Sequence, residues 1–142
     1  IKPILDQLIQ MLSKLYQCKN INFILHCPND LAFPVSKGDL MELCGNLIEN
    51  AAKFCISTIE ITVQQQTNGL LKLQVDDDGP GVDETYRQKV TQRGVRADTQ
   101  YAGQGIGLAV CVELVSSYGG SFEIKTSHLQ GAAFIIELPY TG

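Results

Sequence analysis

The chain has 142 residues, the size of one ordinary domain, and 44% hydrophobic against 18% charged residues excludes a disordered segment. Eleven Lys and Arg against fifteen Asp and Glu give a net charge of −4, the wrong balance for a nucleic-acid binder. No apolar run approaches the ~20 residues of a membrane-spanning helix, and no signal peptide is visible.

The first residue is Ile1 rather than Met, so a processed product or an excised fragment is expected. Pro3 suits the first turn of a helix, and Ile4, Leu5, Leu8, Leu12, Leu15 and Tyr16 follow at helical spacing until Lys19-Asn20. Ile21, Phe23 and Leu25 alternate with polar neighbours and predict a strand, closed by a turn at Pro28-Asn29-Asp30. Ser36 with Asp39 three residues on has the pattern of a capping box, opening a second helix that runs to about Phe54. Ile59, Ile61 and Val63, then Leu71, Leu73 and Val75, alternate with polar residues on either side of Thr67-Asn68-Gly69, which is a hairpin.

From Gly79 to Gly105 no apolar period is sustained; the stretch is polar, glycine-containing and carries Arg87, Arg93 and Arg96. A loop this long in a compact domain is usually a functional lid or disordered. A largely apolar helix follows to about Tyr118 and stops at Gly119-Gly120. Two more strands, around Phe122 and Ile124 and around Phe134 to Leu138, complete the chain. The order predicts one α/β domain over 1–142: a two-layer sandwich with three helices on one face of a mixed sheet of about five strands.

The five cysteines (Cys18, Cys27, Cys44, Cys55 and Cys111) are odd in number and include no C-x-x-C pair, which argues against a zinc site or a disulfide framework. Several have apolar neighbours, where a free thiol acts as a small hydrophobe, and a reducing cytoplasmic setting fits.

On the second helix Glu42, Asn46, Asn50 and Lys53 fall at roughly 0°, 40°, 80° and 20°, while Leu40, Leu43, Leu47, Ala51 and Phe54 fall at roughly 160°, 100°, 140°, 180° and 120°. A stripe of two carboxamides, a carboxylate and an ammonium therefore adjoins the apolar face. Asn is a poor helix former, so two of them one turn apart ask for a reason. A solvated face with an i,i+4 hydrogen bond is one reading of this stripe. The other is a ligand set, with carboxamide oxygens for a hard cation such as Mg²⁺ and Lys53 for a phosphate.

Two glycine-rich segments bear on that choice. Asp76-Asp77-Asp78-Gly79-Pro80-Gly81 ends a strand, and its three carboxylates repel, so it is not expected to serve stability. Its spacing fails the calcium-binding EF-hand pattern, with Gln74 and Thr85 at the first and last ligand positions. A carboxylate accepting from a ligand amine, beside glycines that admit the ligand to the backbone, is the functional alternative to a generic turn. Gly103-Gln104-Gly105-Ile106-Gly107-Leu108 opens a helix whose exposed N–H groups and dipole favour an anion. It lacks both the third glycine and the preceding strand of a dinucleotide fold, and it lacks the G-K-[ST] of a P-loop. Tight helix packing is the alternative here.

In order and spacing, the three pieces resemble the N box and the two glycine boxes of sensor histidine kinases, within the GHKL superfamily of gyrase, chaperone and mismatch-repair ATPases. Asp78-Gly79-Pro80-Gly81 and Gly103-Gln104-Gly105 are most similar to the PhoQ-type kinases. The resemblance implies a Bergerat-type ATP-binding fold with ATP and Mg²⁺ as cofactors. It assigns Asn46 and Asn50 to the metal and phosphates, Lys53 to phosphate, Phe54 to the adenine face and Asp77 to the adenine amine. Gly79 and Gly81 belong to the first glycine box. Gly103, Gly105 and Gly107, with Leu108 closing the second box, bring backbone to the phosphates, and Gln104 reaches the metal or γ-phosphate. Arg96 is the phosphate contact from a lid at about 82–103. Two positions depart from the family: Val90-Thr91-Gln92-Arg93-Gly94 lacks the usual lid Phe, and Tyr101 stands where PhoQ-type lids carry a second Arg.

The family's phospho-accepting His, followed by an acidic residue on a dimerisation helix, has no counterpart; His26 and His128 read as surface or hydrogen-bonded residues. The implied protein is the catalytic half of a histidine kinase. It is expected to be monomeric, to act with a histidine-containing dimerisation domain and a response regulator, and to be the cytoplasmic part of an inner-membrane sensor. An ATPase switch with Glu42 activating water is the alternative within the superfamily, and a degenerate nucleotide- or partner-binding module is the third.

Overall fold

The computed structural model describes residues 1–139 except 30, 34, 67 and 82–104, with the backbone alone for 105–107. Helix α1 (Lys2–Leu15) buries Leu5, Leu8 and Leu12, the stripe its spacing predicts. It ends earlier than expected: a 3₁₀ turn over Gln17–Lys19 tightens the chain, and Asn20 reverses it in the left-handed region at φ 52°. Strand β1 (Asn22–His26) leads to helix α2 (Lys37–Phe54), then to β2 (Thr58–Gln65) and β3 (Leu70–Asp77). Helix α3 (Gly105–Ser117) precedes β4 (Ser121–Thr126) and β5 (Ala132–Pro139).

The sheet runs β1-β2-β3-β5-β4. Strand β1 lies parallel to β2, with Phe23 opposite Ile59. The remaining pairs are antiparallel, with Ile61 opposite Val75, Val75 opposite Phe134, and Ile124 opposite Phe134. Period-two alternation therefore sorts the side chains. Ile59, Ile61, Val63, Leu71, Leu73, Val75, Phe134, Ile136 and Leu138 form one buried face and share a core with the three helices. The predicted α/β sandwich is the observed architecture.

Helix α2 is the central helix of the layer, contacting both α1 and α3. Its N-cap Ser36 accepts from the Asp39 N–H at 3.2 Å, which is half of the expected capping box. The Asp39 carboxylate does not return the bond. It accepts from the Tyr118 hydroxyl, whose oxygen accepts in turn from the Ser36 N–H, and so ties the start of α2 to the end of α3. At the other end the Lys19 ammonium donates to the carbonyls of Ala52, Lys53 and Cys55 at 2.9, 2.6 and 3.1 Å. A cation on those orphan carbonyls is favoured by the helix dipole. Replacing Lys19 by Met removes this cap and is expected to destabilise the fold by about 1 kcal/mol, read as a lower urea midpoint with an unchanged slope.

Candidate functional site

The last two turns of α2 and the end of β3 meet. Gly79 is buried, and a Cβ there would overlap the Phe54 carbonyl and crowd an Asp77 carboxylate oxygen. Only glycine permits this approach, so the first glycine segment docks against the end of the polar stripe. Asp77 sits between them, 3% exposed, on the helix-facing side of β3 in line with Val75 and Leu73. Its Oδ1 accepts from the N–H groups of Gly79 at 2.9 Å and Ala132 at 3.2 Å. Burial pushes its pKa above the ordinary 3.8, the two N–H bonds oppose the shift, and neighbouring Asp78 and Asp76 add to it.

A fourth segment completes the cradle. Gly131, in the β4–β5 turn, lies so close that a Cβ would strike the Asp77 carbonyl, its Oδ1 and the Gly79 nitrogen. This residue went unassigned in the sequence, where only its place in a turn marked it.

The stripe on α2 grades from solvent to core. Glu42 and Lys53 are exposed, Asn46 and Phe54 are half-buried, and Asn50 is 6% exposed. The Asn50 carboxamide oxygen is buried with no hydrogen-bond partner among the described residues. An orphaned carbonyl oxygen of this kind carries a desolvation penalty of about 1–3 kcal/mol and is a natural ligand for a hard cation.

Leu108 is fully buried in α3, and the Cys111 thiol on the same helix lies against the Leu43 carbonyl, which fixes α3 beside α2. Gly105 and Gly107 stand in the first turn of α3. Gly81 follows the Asp77 turn with φ 80°. Arg96, Gly103, Gln104 and the expected lid at 82–103 lie outside the described residues. The five cysteines are free thiols, and burial pushes that of Cys44 up to about 12.

The expectation that the three aspartates do not serve stability is corrected at Asp78. Its carboxylate accepts from the Ile56 N–H at 2.8 Å, the Ser57 N–H at 3.0 Å and the Ser57 hydroxyl at 2.9 Å, closing the α2–β2 connection. Repulsion is relieved because the three side chains meet separate donors. Burial alone would raise the Asp78 pKa, but hydrogen bonds from the Ser57, Thr58 and Ile56 backbone and the Ser57 hydroxyl take it below 3.8. That contribution is present above pH 3.8 and is lost as pH falls through the lower folded value. Asp78→Ala is expected to cost about 1 kcal/mol at pH 7, the figure for a solvent-accessible cap. The gap from wild type should close in melts below pH 3.8.

A family profile described as "Histidine kinase-, DNA gyrase B-, and HSP90-like ATPase" matches residues 36–142. The chain belongs to this family. It is 40% identical over 134 residues to the two-component sensor PhoQ of Pseudomonas aeruginosa, covering 94% of this chain and 30% of that protein. It is 40% identical over 132 residues to the virulence sensor histidine kinase PhoQ of Salmonella typhimurium, covering 93% and 27%. The chain thus spans about three tenths of the length of these curated relatives. Among solved structures, the mycobacterial sensor histidine kinase MprB superposes with a TM-score of 0.80 at 23% identity, covering 97% of this chain and 94% of that one. Full-length ShkA in complex with AMPPNP gives 0.79 at 28% identity, covering 99% and 30%. This member of the ATPase family is homologous to the catalytic domains of sensor histidine kinases.

Proposed function

We propose that the chain is the ATP–Mg²⁺-binding catalytic domain of a two-component sensor histidine kinase, donating the γ-phosphoryl group to a histidine on a dimerisation domain outside this sequence. The observation that carries the reading is the buried Asp77 carboxylate, held by two main-chain N–H groups at the foot of the α2 stripe. In the proposal Asp77 accepts from the adenine amine, Phe54 lies on the adenine face and Lys53 reaches phosphate. The residues fit a hard cation: Asn50 presents a buried oxygen without a partner among the described residues, and Asn46 stands one turn away on the same stripe. Asn46 and Asn50, with Gln104, would hold Mg²⁺, which supplies charge neutralisation on the phosphates when bound.

Arg96 and the backbone of Gly103, Gly105 and Gly107 are proposed to hold the phosphates from the lid side, ahead of Leu108. Glu42, exposed on the same stripe, is proposed as a further catalytic residue. A histidine nitrogen is already nucleophilic, so the chain's own contribution is positioning and charge compensation. By the same reading the partners are the dimerisation domain of the parent protein and a downstream response regulator, and the chain is a cytoplasmic part of an inner-membrane sensor. No helix among the described residues is long and apolar enough to cross a membrane.

Asn50→Ala tests the proposal. Calorimetric titration of the wild type with a non-hydrolysable ATP analogue should reveal binding strengthened by Mg²⁺, and the variant should lose that enhancement. Its unfolding free energy should stay within about 1 kcal/mol of wild type, because an orphaned buried oxygen is removed from a helix and a better helix former replaces it. Undiminished Mg²⁺ enhancement in the variant, or no binding by the wild type, would contradict the assignment.

A further inference from the structure

The face of the sheet turned away from the helices carries a second cluster, unrelated to the α2 stripe. Glu60 of β2 and Asp76 of β3 are direct cross-strand partners. Like charges placed opposite one another destabilise a sheet pair. Both are sheltered: the Glu60 side chain is 18% exposed and that of Asp76 2%. Among the described residues no Lys or Arg forms an ion pair with either carboxylate. Imidazoles lie beside them instead, His26 on Glu60 alone and His128 on both. His26, at the end of β1, places Nε2 2.8 Å from Glu60 Oε2. His128, in the β4–β5 turn, places Nε2 2.8 Å from Glu60 Oε1 and Nδ1 4.0 Å from Asp76 Oδ1.

The donor atoms of Glu60, Asp76 and His128 lie within 4.8 Å of one another. Bonds of about 2.0–2.2 Å to a common ion need only small side-chain rotations from there. The Asp76 carboxylate is oriented from outside the cluster by the Ser127 hydroxyl at 2.8 Å and the Gln74 amide at 3.0 Å, the kind of outer support that metal-ligating carboxylates have. Both histidine side chains are more than half exposed, so an ion has a path in.

We propose that Glu60, Asp76 and His128 form a binding site for one first-row divalent transition-metal ion, with His26 positioning the Glu60 carboxylate from outside. A dication balances the two carboxylates that the sheet pairing brings together. The donor set separates this site from the proposed Mg²⁺ position, because imidazole suits zinc and its neighbours whereas Mg²⁺ takes oxygen. Location separates them too, since Asp76 and Asp77 alternate to opposite faces of β3. The site uses no cysteine, and its ligands come from two strands and a turn, so no local spacing announces it.

The test is calorimetric titration of the metal-stripped chain with Zn²⁺, followed by Co²⁺ substitution. One equivalent of Zn²⁺ should bind. His128→Ala, at an exposed position, should weaken binding at least about tenfold, and Glu60→Gln, which keeps the side-chain shape, should do the same. The Co²⁺ form should show ligand-field bands without a thiolate charge-transfer band. Absence of stoichiometric binding, a His128→Ala variant that binds as wild type, or a thiolate band pointing to Cys18 or Cys27 would each overturn the proposal. In the first of these outcomes the cluster is a hydrogen-bonded network only.

Discussion

A carboxylate placed on the apolar side of a sheet must be given donors or it destabilises the fold. Asp77 is such a group, and much of the local architecture answers to it. Two main-chain N–H groups, from Gly79 and Ala132, converge on one of its oxygens. Those donors come within reach because Gly79 and Gly131 lack side chains where the backbones close up. The same close approach sets the end of α2 against the end of β3. The polar stripe of α2 and the buried acceptor are therefore one structure, built from segments some eighty residues apart in sequence.

The three consecutive aspartates illustrate how strand geometry separates functions. Asp77 faces the helices, Asp76 faces away towards Glu60 and the histidines, and Asp78 leaves the strand to cap the α2–β2 connection. Each has its own donors. The orphaned Asn50 oxygen adds a second departure from a core built for stability alone. Both departures lie on the same side of the sheet, where the nucleotide is proposed to bind.

Much of this was legible in the sequence. Alternation in β2 and β3 with Asn68-Gly69 between them fixed the hairpin, and helical spacing placed Asn46, Asn50 and Lys53 on one stripe. Other features depend on contacts that no local pattern carries. The parallel docking of β1 on β2 follows from the return of the chain through α2. The approach of Gly131 to Asp77 spans more than fifty residues, and the Lys19 cap reaches the end of a different helix. The aspartate run was misread because repulsion was weighed without the backbone donors that Asp78 meets. His26 and His128 were expected to be surface or hydrogen-bonded residues and are both; their convergence on Glu60 needed the sheet order.

Asp77 is proposed as a fixed acceptor for an amine on the nucleotide base. The measurement that tests this compares the affinity of the chain for ATP and for inosine triphosphate, which differ by the replacement of that amine with a carbonyl oxygen. A buried acceptor left facing another acceptor loses its bond and keeps its desolvation penalty. ATP should therefore bind at least about tenfold more tightly in the wild type. Equal affinities for the two nucleotides would contradict the account.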